Sequence, residues 1–440
     1  MKIFVQQLTG KEFLKTVAPA TLSLLFISFY TIVDGVFVGY FVGENALAAI
    51  NIVFPILTTI FAFSIMLGSG GSAFVGAMLG EQKPKRAREI FSLIIVTGLI
   101  ISFILMLILF FTLEPLIYFL GASELLFEDC YQYAFVLAVM TPFIIHKDIL
   151  EIFLRTDGKA IYSLWLAFLG GILNIFFDYL FIVEYQMGLV GAAWATGSSF
   201  IVPSLISTVY FALKKNNLYF VKPALDWKIL WATFTNGASE MITRLSSSFV
   251  TFLLNIITMQ YLGEAGVAAI SIILYTHFLM VSVYMGFSFG CSPLISYNHG
   301  AGNKEQLKKI MQHSKWFILL SSVSIFACAQ GFAPYIVGAF VGTQTEVFLI
   351  ATEGMKLYSI CFLFEGFNIF MSAMFTAFGN GKISAVISFL HSFVFVFVGI
   401  FTLPQILSTQ GIWLTLPVAE LLTLILSGYC FYKYKAVYNY

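Results

Sequence analysis

Three stretches of this chain, 91–111, 245–263 and 383–407, run on without a single Asp, Glu, Lys or Arg. Each is as long as the ~18–20 apolar residues a helix needs to cross the hydrocarbon core of a bilayer. No spanning segment leaves backbone groups unpaired in lipid, so such stretches must be helices unless they alternate polar and apolar residues as a closed barrel does. That alternation is absent. The rest of the 440 residues agrees: 60% are hydrophobic and 10% charged, against roughly 25% charged in an ordinary soluble domain. So few charges leave most of the surface to lipid.

The hydropathy pattern predicts twelve spans: 13–40, 46–79, 90–119, 129–154, 160–184 and 188–213, then 229–260, 266–299, 314–341, 346–378, 383–407 and 410–432. Basic residues gather in every second connection. They are Lys2, Lys11 and Lys15; Lys83, Lys85, Arg86 and Arg88; Arg155 and Lys159; Lys214, Lys215, Lys222 and Lys228; Lys304, Lys308, Lys309 and Lys315; Lys382; and Lys433 and Lys435. The intervening connections hold Glu44, Glu114, Glu124, Glu128, Asp129, Glu184, Glu264 and Glu346, with no Lys or Arg. Under the positive-inside rule this places both termini in the cytoplasm. No soluble segment concentrates the basic charge, which argues against nucleic-acid binding. The amino-terminal segment lacks the pattern of a cleavable signal peptide, so the first span is expected to serve as its own signal. Cys130, Cys291, Cys328, Cys361 and Cys430 are far apart with no C-x-x-C pair, which predicts apolar packing and neither a disulfide framework nor a metal site.

The chain repeats itself. A shift of 220 aligns F-V-G-E-N-A-L-A-A-I (41–50) with Y-L-G-E-A-G-V-A-A-I (261–270), and pairs Gly70 with Gly290, Ser72 with Ser292 and Gly80 with Gly300. The expected architecture is an all-α integral membrane protein of two six-helix bundles, 1–213 and 229–440, joined by a cytoplasmic linker at 214–228. Six spans per half give both halves one orientation, hence a pseudo-twofold axis along the membrane normal.

Ionisable groups inside spans cost roughly 2.5–3.5 kcal/mol each on insertion scales and therefore mark function or pairing. Asp34 in the first span and Asp178 in the fifth fall at nearly one depth, and Asn174 shares a helical face with Asp178. Thr196, entering from the outer side in the sixth span, reaches a comparable level. Two acids in a low-dielectric pocket titrate as a coupled pair, able to take up a proton or a small cation such as Na⁺. The alternative is two independent acids with local hydrogen bonds. The second half has Leu254 and Asn255 where the first has Asp34 and Gly35. It carries instead Glu240 with Arg244 one turn later, so Glu240 either lines a central cavity or neutralises Arg244. Lys147 and Asp148 are expected to pair locally. Glu151, Lys356, Glu365 and Glu420 favour packing or interfacial roles, and His277 and His391 read as lone structural histidines. Pro19 and Pro55 lie within spans one and two, where proline permits bending, unless Pro19 falls harmlessly in a first turn.

T-I-V-D-G-V-F-V-G (31–39), G-E-N-A-L-A-A (43–49), L-R-T-D-G-K (154–159), G-G-I-L-N-I-F-F-D-Y-L-F-I (170–182), G-L-V-G-A-A-W-A-T (188–196), N-G-A-S-E (236–240) and N-H-G-A-G-N (298–303) occur in this order. In them the chain resembles the multidrug and toxic compound extrusion (MATE) family over nearly its whole length, closest to the MepA-like bacterial branch. The resemblance implies a secondary antiporter of the bacterial inner membrane, expected as a monomer, that exports drug-like and often cationic compounds against inward H⁺ or Na⁺. It implies no cofactor. The family's amino-terminal acidic site would fall on Asp34, Asn174, Asp178 and Thr196, and its span-seven glutamate on Glu240, with Asn255 and Arg244 as further cavity candidates. A flippase for a lipid-linked saccharide is the alternative cargo, although such a cavity would call for more arginines than Arg244. A membrane enzyme would need clustered Mg²⁺-binding carboxylates or an H-E-x-x-H helix, and neither occurs. A channel would suit an asymmetric acidic pocket less well.

Overall fold

The computed structural model describes residues 9–438 and residue 440; Lys2 of the first basic cluster lies outside them. The described chain is helical almost throughout, with no strand among those residues. The first half comprises α1 (Gly10–Phe41), α2 (Glu44–Gly80), α3 (Pro84–Phe119), α4 (Glu124–Thr156), α5 (Ala160–Asp178) and α6 (Gly188–Ala212), with a π-helical turn, Tyr179–Glu184, extending α5. Trp227–Gly300 is continuous except at Gly263, which divides it into α7 (227–262) and α8 (264–300). Then come α9 (Lys304–Gly338), α10 (Glu346–Tyr358), α11 (Phe362–Ala377), α12 (Gly381–Phe389), α13 (Phe395–Leu407) and α14 (Thr409–Tyr438). A 3₁₀ turn at Ser359–Cys361 joins α10 to α11, and a π turn at Leu390–Val394 joins α12 to α13.

Local sequence sets several boundaries. A reciprocal cap starts α1: the Glu12 N–H donates to Thr9 Oγ1 at 3.3 Å, and the Thr9 N–H donates to Glu12 Oε2 at 3.0 Å. Pro19 therefore lies well inside α1, which removes the first-turn reading. Its missing N–H leaves a gap in the helix ladder there. Asn303 caps α9, accepting from the Gln306 N–H at 3.1 Å, so that helix begins at Lys304 rather than at 314. Its cationic opening turns project beyond the apolar span. The connection expected between spans seven and eight shrinks to Gly263, whose φ of 62° and ψ of −158° suit a residue without Cβ.

Ten of the described helical stretches are long and apolar enough to cross a membrane, with Trp227–Gly300 counted as one. The protein is a multi-pass membrane protein. In α3 the lipid-facing stripe is explicit: Ile100, Phe103, Ile104, Leu107, Ile108 and Phe111 are exposed, while Ile90, Phe91, Ile94, Ile95 and Gly98 are buried. Exposed Trp227, Trp231 and Trp316 are the amphipathic aromatics typical of membrane–water interfaces.

The halves meet through backbone held against backbone at the end carrying the chain termini. A Cβ on Gly80 would sit 2.0 Å from the Tyr297 carbonyl oxygen, and one on Gly300 would sit 2.0 Å from that of Ala77. The 220 shift maps Gly80 onto Gly300 and Ala77 onto Tyr297, so the contact is reciprocal, as a twofold relation requires. Gly70 against Gly237 and Gly290 against Val17 form a second such couple. At mid-height the Thr58 and Ser248 hydroxyls are 3.2 Å apart. The linker at 214–228 is docked rather than loose. Leu218 is fully buried, the Leu218 N–H donates to Asp157 Oδ1 at 2.9 Å, and Phe220 stacks on Phe91 at 5.5 Å. Arg88 Nε donates to the Asn217 carbonyl at 2.8 Å, and Arg86 pairs with Asp226, the N-cap of α7. Asp157 lies outside the spans, and burial raises its carboxyl above the usual range, opposed by bonds from Tyr210 and Leu218.

Candidate functional site

α1, α4, α5 and α6 carry one buried polar cluster. Asp34 on α1 and Asp178 at the end of α5 are in direct side-chain contact, and each is the other's chief charged neighbour. Asn174, one turn before Asp178, is 2% exposed. On each of Asp34, Asn174, Asp178 and Thr196 a buried side-chain oxygen lacks any hydrogen-bond partner. Orphaned buried acceptors are rare because each forfeits its hydration without compensation. Here four come from three helices, and all are oxygens. The donor chemistry of such a set fits a proton shared between the carboxyls and equally a small hard cation.

Sequence reasoning missed one member. Tyr133 on α4 is 4% exposed, with Thr196 as a side-chain neighbour and in the field of both Asp34 and Asp178. It supplies an O–H donor in a group otherwise composed mainly of acceptors. Nothing in its local sequence marks it, since tyrosine is common in this chain.

The expected local pair of Lys147 and Asp148 belongs to a larger network on α4. Lys147 Nζ lies 3.3 Å from Asp148 Oδ1 and 2.6 Å from Glu151 Oε2. Glu151 also accepts from Arg155 Nη1 and Ser163 Oγ, both at 3.1 Å, and Ser64 Oγ donates to Asp148 at 3.0 Å. The two cations and two anions balance, which makes their joint burial tolerable.

Glu240 and Arg244 on α7 feel each other electrostatically without a direct ion pair among the described contacts; Glu240 is also within electrostatic range of His391, and Arg244 of Asp148. Asn255 on the same helix has an unpartnered buried side-chain oxygen. His277 and His391 are not lone. His277 Nε2 lies 3.0 Å from Glu365 Oε1, and His391 Nδ1 lies 2.7 Å from Glu420 Oε1. Asn368 Nδ2 donates to Glu420 Oε2 at 2.8 Å, and Ser427 Oγ donates to Asn368 Oδ1 at 2.8 Å. Glu365 and Glu420 are therefore buried, paired groups, whereas Lys356 is exposed.

A helical membrane protein of two related halves, with a buried carboxyl cluster inside one of them, has the architecture of a transporter. The MatE family profile matches residues 19–180 and again 241–402. The two matches stand in nearly the same register as the internal repeat. The chain belongs to the MATE family, whose members are ion-gradient-coupled transporters and not enzymes. It is 26% identical over 410 residues to the multidrug export protein MepA of Staphylococcus saprophyticus, covering 91% of this chain and 89% of that one. To MepA of Staphylococcus haemolyticus it is 24% identical over 423 residues, covering 95% and 92%. Its fold is similar to a solved structure described as the outward-facing conformation of a multidrug resistance MATE family transporter of the MOP superfamily, with a TM-score of 0.93, 21% identity and coverage of 100% and 98%.

Proposed function

We propose that this protein is a secondary antiporter that exports lipophilic, often cationic compounds in exchange for inward H⁺ or Na⁺. The reading is carried by the contact between the Asp34 and Asp178 carboxyls, which have unpartnered oxygens and, among the described residues, no basic group as an electrostatic neighbour. Occupancy of that pair by the coupling ion biases the inward/outward equilibrium, and substrate between the halves is coupled to it reciprocally. Asn174, Thr196 and Tyr133 orient the pair, while Glu240, Asn255 and Arg244 face substrate. Relatives named for multidrug export favour this cargo over a lipid-linked saccharide.

Counting α7 and α8 separately and adding Glu124–Thr156 to the apolar stretches gives twelve spans. On this reading the bundles are 1–213 and 229–440, the linker 214–228 and both termini are cytoplasmic, and the protein works as a monomer in the bacterial inner membrane. The glycine-lined contacts then close the cytoplasmic side, and the path opens outward.

The test is ethidium efflux from reconstituted vesicles under an imposed ΔpH or an imposed Na⁺ gradient, with wild type and Asp34→Asn. Wild type responds to one of the gradients, which identifies the ion, and Asp34→Asn loses the response while remaining folded. Gradient-driven efflux of equal rate in the variant overturns the assignment.

A further inference from the structure

Away from the carboxyl cluster, His277 on α8 meets the junction of α10 and α11 in the second half. We propose that His277, Cys361 and Glu365 form a binding site for a borderline-soft divalent metal ion of the zinc class. One nitrogen, one sulfur and one carboxylate oxygen lie within 4.8 Å of one another. His277 Nε2 is 3.0 and 3.1 Å from the two Glu365 oxygens, and Cys361 Sγ is 3.9 Å from Glu365 Oε2. Ligands at about 2.0–2.3 Å from a tetrahedral zinc ion stand about 3.3–3.7 Å apart, so small side-chain adjustments suffice.

The local structure builds the site. Cys361 and Glu365 are one turn apart, and the 3₁₀ turn at Ser359–Cys361 ends on the cysteine, which is the N-cap of α11. The His277 ring is fixed by stacking on Phe362 at 5.8 Å and by edge contact with Tyr358 at 5.5 Å. A further observation points to a ligand. Tyr358 is 1% exposed, its hydroxyl has no hydrogen-bond partner, and its electrostatic neighbours are Cys361, Glu365 and Glu420. Its ring lies against His277, so a hydroxyl in need of a partner belongs to the residues surrounding the three donors.

Charge and softness select the ion. Cys361 is fully buried and Glu365 is 3% exposed. A thiolate and a carboxylate there carry two negative charges, which one divalent cation neutralises when the thiol proton is released on binding. Calcium and magnesium prefer all-oxygen shells, whereas a nitrogen–sulfur–oxygen set suits zinc and its neighbours. The His277 side chain, 20% exposed, offers the way in. The sequence reading of Cys361 as apolar packing, with no metal site, is revised by this proposal. The rival account is a His277–Glu365 hydrogen bond with the cysteine merely packed beside it.

Tag-free, chelator-stripped protein titrated with Co²⁺, a spectroscopic stand-in for zinc, separates the two. The expected result is saturation at one ion per chain with a thiolate-to-cobalt charge-transfer band that Zn²⁺ displaces. Cys361→Ser should abolish the band, Cys328→Ser should leave it intact, and His277→Gln, which retains a hydrogen bond to Glu365, should weaken binding by about 100-fold. Absence of a thiolate band in folded wild type, or its persistence in Cys361→Ser, overturns the proposal. Neither outcome bears on Asp34 and Asp178, so the transport reading is tested separately.

Discussion

The two halves of the repeat share a backbone and differ in how they treat buried acids. In the first half, Asp34 and Asp178 touch each other and have oxygens that no protein donor satisfies. In the second half, Leu254 replaces Asp34 in the repeat register, and two fully buried acids lie elsewhere with partners: Glu365 beside His277, and Glu420 beside His391 and Asn368, while Glu240 has no direct ion pair among the described contacts. A matched acid contributes to the cohesion of its own helices. An unmatched pair is costly until an ion or proton arrives, and that unmet demand lets occupancy alter a conformational equilibrium. The symmetric glycine contacts between the halves belong to the shared framework, whereas the acids belong to each half separately.

The largest expected effect opposes the two kinds of acid directly. Glu420→Ala removes a buried partner of His391 and Asn368 and should cost about 3–5 kcal/mol of stability, read as a large fall in Tm in detergent. Asp178→Asn should leave Tm unchanged or raise it, because it removes a repelling charge while the amide keeps a side-chain hydrogen bond to Asp34, and it should abolish gradient-driven efflux. Similar losses of Tm in both variants would erase the distinction between the halves.

A smaller effect tests the shared framework. Gly237→Ala places a Cβ 1.9 Å from the Met66 carbonyl oxygen, and overpacking of this kind costs roughly 1–3 kcal/mol. Because the strained contact joins the halves, the cost should appear as a shift away from the cytoplasm-closed state, read by accessibility of engineered cytoplasmic-side cysteines. An unshifted accessibility pattern would mean that the helices separate there at no cost to the equilibrium. The smallest effect concerns Tyr133→Phe, which deletes one donor from the acceptor-rich cluster. Loss of about 1 kcal/mol should weaken the dependence of efflux on the driving ion roughly fivefold, with maximal efflux at saturating ion kept. An unaltered ion dependence would remove Tyr133 from the site.

Particular residues show how far the sequence could be read. Asp34, Asn174, Asp178 and Thr196 stood out because polar groups are scarce in spans and their depths could be counted. Tyr133 did not, because an amphipathic aromatic is unremarkable in a membrane helix until its neighbours are known. His277 and His391 looked solitary for the same reason: Glu365 and Glu420 lie 88 and 29 residues away along the chain. The linker at 214–228 looked like a polar tether, yet Leu218 and Phe220 bury themselves against α3 and the α4–α5 turn.

Sequence by itself determined that the chain lives in a membrane, that it is helical, that it is duplicated, and which helices carry unusual charge. Those properties follow from composition, from a fixed rise per residue and from comparison of the chain with itself. Tertiary structure alone decided which charges are matched, which backbones touch through glycine, and where a nitrogen, a sulfur and a carboxylate converge. The reason is physical: helical periodicity fixes a side chain's direction only relative to its own axis, and pairing depends on how separate axes pack.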